Sequence, residues 1–254
     1  MAWRACGTRR RLVIAAGVAA AVAIVLALLV PGGDDENGPL ARLAVLDPSV
    51  AVQARSAGSF GAASSGHALV VGDTVRTDAL GRAQIDYAEG SLTRLDRNTT
   101  FVVERLTKAE RPDPLAVRVD LGRTWNEVAE LTTSGERFQV STSNAVATVR
   151  GTVFTVDRLA DGVSVFAVAE GLVEVVTSTG ARILLRAGER VTVLADGTLG
   201  PVQQVSFEDL RRVDEWIRFN LELGRVRPTT TIGGGAGATT STPTTGPTPA
   251  PSTP

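Results

Sequence analysis

The chain has 254 residues, 43% of them apolar and 21% charged. That is enough for one large packed domain or two small ones, and it argues against wholesale disorder. A net charge of −1 excludes the global positive field that nucleic-acid binders usually carry. One cysteine, Cys6, excludes an intrachain disulfide, and one histidine, His67, excludes every two-histidine metal motif. Aromatics are only 4%, so a core must rest on Val, Leu, Ala and Ile. All but one of the 26 basic residues are Arg, the exception being Lys108.

Residues 12–30, LVIAAGVAAAVAIVLALLV, are 19 residues without a charged or polar side chain. At about 1.5 Å per residue they would span roughly 28 Å, close to a bilayer core of about 30 Å. Arg4, Arg9, Arg10 and Arg11 precede them, and Asp34, Asp35 and Glu36 follow. The positive-inside rule predicts residues 1–11 as a cytoplasmic stub and everything beyond the helix as exported. A cleaved signal peptide would have a shorter apolar run and a small-x-small cleavage site, which Leu28-Leu29-Val30-Pro31 does not supply. Residues 31–42, rich in Gly, Pro and acid, read as a spacer.

Residues 43–205 read as an all-β domain. Val-, Thr- and Ile-rich runs alternate with Gly-containing turns at close intervals. One meander is expected over 74–77, 82–87, 91–95 and 100–106, and another over 163–169, 172–177, 181–186 and 189–194. Links this short predict antiparallel neighbours throughout, assembled as a solenoid-like or sandwich-like stack of hairpins. Ala88-Glu89-Gly90 echoes Ala169-Glu170-Gly171, which suggests two similar hairpins. Within 145–156 the small apolar residues Ala145, Ala147 and Val149 are odd-numbered, whereas Phe154 and Val156 are even. A strand keeps one face at period two, so this phase change predicts a β-bulge at Gly151.

One amphipathic helix is expected over 206–224. Ser206 is a plausible N-cap with Asp209 in a capping-box-like position, Gly224 a plausible C-cap. Phe207, Leu210, Val213, Trp216, Ile217 and Leu221 recur at helical spacing. The stripe either closes the β domain or waits for a partner, and Leu210, Val213, Trp216 and Ile217 are the docking candidates. Residues 225–254 read as a disordered tail: from 228 on there are ten Thr, six Pro, five Gly and no charge, too little apolar surface to offset ordering.

Three stretches resemble the FecR family, the exported domain of iron-citrate-type signalling regulators. Val71-Gly72-Asp73-Thr74-Val75-Arg76-Thr77, followed by Gly81-Arg82-Ala83 and Glu89-Gly90-Ser91, resembles its opening. Val149-Arg150-Gly151-Thr152-Val153-Phe154-Thr155-Val156 is similar to its VRGT-x-F-x-V core. Val168-Ala169-Glu170-Gly171-Leu172-Val173 with Ala187-Gly188-Glu189 resembles its closing part. Together these cover roughly 50–195. The resemblance implies a structural role for Gly72, Asp73, Arg150, Gly151, Thr152, Phe154, Glu170 and Gly171. It also implies a signalling protein whose cytoplasmic segment binds an extracytoplasmic-function sigma factor. Eleven residues precede the apolar run, fewer than such helices need, so a sigma factor is not an expected partner here.

No P-loop, G-x-S-x-G or HExxH string occurs in the sequence. The expectation is a protein that is not an enzyme, with no catalytic, cofactor or metal residues. It would act at the envelope as a binding, sensing or relay module, or as a structural protein whose Thr/Pro tail engages the cell wall. Its expected partners are membrane lipid and an envelope protein or glycan, not nucleic acid.

Overall fold

The computed structural model describes residues 39–106, 114–130 and 137–225. The stub, the apolar run 12–30 and the Thr/Pro tail lie outside the described residues, among which no helix is long and apolar enough to cross a membrane. The described residues form β-structure with two short helices.

The strands are β1 (Ala41–Asp47), β2 (Val50–Gln53), β3 (Gly61–Ala62), β4 (His67–Ala68), β5 (Thr74–Thr77), β6 (Arg82–Tyr87), β7 (Leu92–Leu95) and β8 (Thr100–Arg105). They continue as β9 (Leu115–Val128), β10 (Phe138–Ser141), β11 (Ala145–Val149), β12 (Thr152–Arg158) and β13 (Ser164–Glu170). Last come β14 (Leu172–Thr177), β15 (Arg182–Arg186), β16 (Glu189–Val193) and β17 (Gln203–Gln204). The first strand thus starts inside the expected spacer.

Two sheets stack face to face. Sheet A runs β4-β1-β6-β7-β9-β12-β13-β16-β17. Sheet B runs β3-β2-β5-β8-β9-β10-β11-β14-β15. The inner faces share one core, with Leu43, Val75, Ile85, Phe101, Val117, Val140, Phe154, Phe166, Val175 and Leu185 among its residues. The arrangement is a sandwich, one of the two expected.

The links between strands are of two kinds, and the sequence reading distinguished only one. Glu89-Gly90 reverses the chain between β6 and β7, which pair. Glu170-Gly171 does not reverse it: β13 pairs with β12 and β16 in sheet A, whereas β14 pairs with β11 and β15 in sheet B. Gly171 is a corner at which the chain leaves one sheet for the other, so the two echoing stretches are not similar hairpins. Residues 48–49, 78–81, 96–99, 150–151 and 187–188 are also corners, and the long β9 passes between the sheets near Gly122. Among the described strands one pair, β9 with β10, is parallel, because β9 ends in sheet A and β10 lies beside its sheet B half.

The phase change in 145–156 has the same cause. β11 lies in sheet B and β12 in sheet A, so Gly151 is a corner and not a bulge within one strand. The register irregularity in this region falls between Val153 and Phe154. At the opposite end of the sandwich, buried Asn144 ties the sheets together. Its Nδ2 donates to the carbonyls of Gly162 (3.1 Å), Val193 (3.2 Å) and Leu194 (2.6 Å). Its Oδ1 accepts from Thr142 Oγ1 (2.8 Å) and Ser164 Oγ (2.6 Å).

The expected single helix is two, α1 (Phe207–Val213) and α2 (Glu215–Arg225). Ser206 caps α1 as expected, accepting from Asp209 N at 3.2 Å. The break is Asp214, extended at φ −112° and ψ 112°. Its Oδ1 accepts from the N–H groups of Trp216 (2.9 Å) and Ile217 (3.2 Å), so it caps a new helix. Gly224 lies inside α2 and is not a C-cap.

Candidate functional site

The motif residues build the corners. Gly171 has φ +84°, and a Cβ there would lie 2.7 Å from the carbonyl oxygen of Gly151. Gly151 itself has φ +57°. Such backbone favours glycine, and the close approach of the two corners excludes a side chain at Gly171. Thr152 Oγ1 lies 3.0 Å from the carbonyl of Leu172 and 3.1 Å from that of Arg150, stitching the corners together. Phe154 is fully buried in the core. Arg150 and Glu170 are exposed at the same end. Asp73 is buried, and its carboxylate accepts from the N–H groups of Arg55 (3.1 Å) and Val70 (3.0 Å). Gly72 donates its N–H to the carbonyl of Val103 at 2.8 Å. These side chains and backbone groups shape turns.

The second cluster lies where α1 and α2 cover the outer face of sheet A. Trp216 and Ile217 are 1% and 2% exposed and pack with Trp125. Phe207 meets Trp125 edge-on at 6.0 Å, and Phe219 stacks on Trp216 at 5.7 Å. Leu210 is partly buried against the same group. Val213 points the other way and is 82% exposed, because the helix restarts at Asp214 and the apolar stripe changes phase there.

Three arginines on interior strands of sheet A frame these rings. Arg82, its side chain 4% exposed, bonds Glu215 of α2 (2.8 Å), Asp96 (3.0 Å) and Asp47 (3.4 Å). Its guanidinium also lies 4.6 Å from the Phe219 ring centre and 5.6 Å from that of Trp216. Arg94 bonds Glu127 (2.6 Å), Gln84 (2.8 Å) and buried Asn220 of α2 (3.3 Å). Arg123 joins Asp157 (3.2 Å) to Asp214 (2.8 Å). The hydrogen bond from Arg82 holds the Glu215 carboxyl below its ordinary range. Burial opposes ionisation of Asp214, but Arg123 outweighs it and the carboxyl is also lowered. Each arginine that crosses the interface therefore has a helix partner, which fixes where the helices sit as well as how firmly.

The sequence reading did not single out Arg82, Arg94, Arg123, Asn144 or Asn220. An arginine on an alternating strand reads as solvent-facing, and only the later helix turns that face into an interior. Trp125 is buried beneath the helices and donates to Glu127 Oε1 at 3.1 Å. His67 is exposed on the two-residue strand β4. Among the described residues no group of three or more His, Cys, Asp or Glu could hold a metal ion.

No curated protein matches the chain. Among the solved structures that resemble it are two, both described as a candidate anti-sigma factor from Parabacteroides distasonis ATCC 8503. One is 18% identical with a TM-score of 0.47, covering 56% of this chain and 65% of its own. The other is 20% identical with a TM-score of 0.45, covering 52% and 60% respectively. The chain thus spans less than two thirds of the length of either. The family model described as FecR protein matches residues 73–174, from buried Asp73 in the first motif to the strand beyond the Gly171 corner, and this segment is a FecR domain.

Proposed function

We propose that the chain is a single-pass membrane protein, N-terminus in the cytoplasm, that presents its FecR domain outside the cell. There the domain serves binding, sensing or signal relay at the envelope and does no catalysis. The observation that carries this reading is the FecR match over residues 73–174. The placement of the motif residues supports it. Gly72, Asp73, Gly151, Thr152 and Gly171 shape corners and turns and Phe154 fills the core, which leaves the outer faces of the sheets and exposed Arg150 and Glu170 for specific contacts. The uncharged run 12–30, with arginines before it and acids after it, supports the topology. A structural role at the cell wall is the second reading, favoured by the uncharged Thr- and Pro-rich tail.

Photo-crosslinking in intact cells separates these readings. One crosslinker replaces Thr148, on the outer face of sheet B, and another replaces Thr240 in the tail. Adducts from position 148 with an envelope protein or glycan are the expected result. Wall-glycan adducts from position 240 alone would favour the structural reading. Adducts from position 148 with cytosolic proteins alone would overturn the proposal.

A further inference from the structure

Among the described residues four strand edges end the two sheets, and they are not treated alike. β3, β4 and β17 are two residues long, too short to template a partner. After β16 the chain turns at 195–198 and runs back along it. Gly200 donates to the carbonyl of Thr192 (2.8 Å), and Gln203–Gln204 pairs with Glu189 and Arg190. That return covers the edge of sheet A. Nothing among the described residues does the same for β15, the five-residue edge Arg182-Ile183-Leu184-Leu185-Arg186 of sheet B.

The hydrogen-bond alternation of an antiparallel pair says which groups point outward. Thr177 N–H bonds the carbonyl of Ala181 at 2.9 Å, and Val175 opposes Ile183 while Val173 opposes Leu185. Ladder bonds to β14 therefore fall at 181, 183 and 185, and the N–H and C=O groups of 182, 184 and 186 point away from it. The N–H of Arg186 bonds Glu189 Oε2 at 2.8 Å, as an outward group would. The side chains of Arg182, Leu184 and Arg186 share the outer face of sheet B. Leu184 is 46% exposed, and its diagonal neighbour Leu172 on β14 is 48% exposed. Natural edges of this length are ordinarily blocked.

We infer that β15 is a strand-addition site for an extended segment of a partner protein with an apolar residue between two acids, in the pattern acid-x-apolar-x-acid. The partner's apolar residue would sit opposite Leu184, and its acids opposite Arg182 and Arg186. Main-chain bonds would supply affinity, and the side-chain pairs would supply register. A second copy fits poorly, because self-pairing in either direction sets arginine against arginine. The chain's own tail from residue 228 on has no acid, and Asp34-Asp35-Glu36 has no apolar residue between its carboxylates. Arg182 already meets Glu174 at 3.3 Å, but both are well exposed, and a pair of that kind is readily exchanged. This inference depends on neither the membrane topology nor the FecR match.

The test uses the full chain in mild detergent and a labelled, capped heptapeptide. The peptide has leucine at its centre, valines beside it and glutamates at its second and sixth positions. Binding is read by fluorescence anisotropy. A second peptide replaces both glutamates by lysine. The wild-type chain should bind the glutamate peptide at least about tenfold more tightly than the lysine peptide. Arg182→Glu with Arg186→Glu should invert that preference. Leu184→Pro removes an outward N–H that β14 does not use, so binding should be lost while the thermal midpoint stays close to wild type. Equal binding of both peptides, or no binding at about 1 mM peptide, would overturn the inference. So would a doubly reversed variant that folds normally and still prefers glutamate.

Discussion

Removing the Trp216 ring should loosen the helix pair without dismantling the sandwich. The ring is 1% exposed, lies against Trp125 and Ile217, stacks on Phe219 and faces the Arg82 guanidinium. Truncating a buried Trp to Ala costs about 3–5 kcal/mol through lost transfer energy and the cavity left behind. At about 1.4 kcal/mol per tenfold, that is a rise of roughly a hundredfold to a few thousandfold in the population of the undocked helix. The β core lies on the other side of sheet A and shares no residue with the Trp216 cluster. Hydrogen exchange on the full chain should therefore show Trp216→Ala accelerating exchange across 215–221, while peptides from β11 to β14 change little. Val213, 82% exposed, provides the control, since Val213→Ala should stay within about 0.5 kcal/mol. Unchanged exchange over α2 in the Trp216 variant would refute the docking energetics. Equal acceleration across β12 and β13 would show instead that helix and sandwich open as one unit.

Three further outcomes follow from the same contacts. Gly171→Ala should destabilise the chain more than Gly180→Ala, by thermal unfolding. Both have positive φ, but a Cβ at 171 meets the Gly151 carbonyl at 2.7 Å and one at 180 meets nothing within 4 Å. The strain at Gly180 is about 1–2 kcal/mol, and the crowding at Gly171 adds about 1–3 kcal/mol. Asn144→Ala should cost about 1–3 kcal/mol in urea unfolding or more, because three carbonyls and two hydroxyls lose a buried partner. Glu215 has a lowered carboxyl pKa in the folded chain, so its contribution is present above the ordinary carboxylate range and is lost as pH falls through the depressed value. The protection of α2, measured relative to the intrinsic exchange rate at each pH, should fall on acidification in the wild type, and that pH dependence should be smaller in Glu215→Gln.

Strand positions were legible in the sequence because alternation is local: 74–77, 82–87 and 172–177 were read as the structure has them. The pairing was not, because a short glycine link can reverse a chain or bend it between sheets. At Gly90 the neighbours pair, whereas at Gly171 each strand pairs with others that are distant in sequence. A clue was present: Phe166 and Val168 are even and Val173 and Val175 odd, the same kind of shift that marked Gly151. The helix break was legible only in part. Asp214 reads as one more polar residue on the outer face until Arg123 and the N–H groups of Trp216 and Ile217 converge on it. Arg82 was opaque for a related reason, since its partners Asp47, Asp96 and Glu215 come from three separate parts of the chain.

Cys6, the single cysteine of the chain, allows the topology to be read on both sides with one reagent. Intact cells expressing the wild-type chain are treated with a membrane-impermeant maleimide, and so are cells expressing Cys6→Ser with Ser56→Cys. Ser56 is exposed in the loop after β2. The proposed function predicts that Cys6 is labelled only after lysis and that the cysteine at position 56 is labelled in intact cells. Labelling of Cys6 in intact cells, with the position-56 thiol protected until lysis, would contradict the export of the FecR domain.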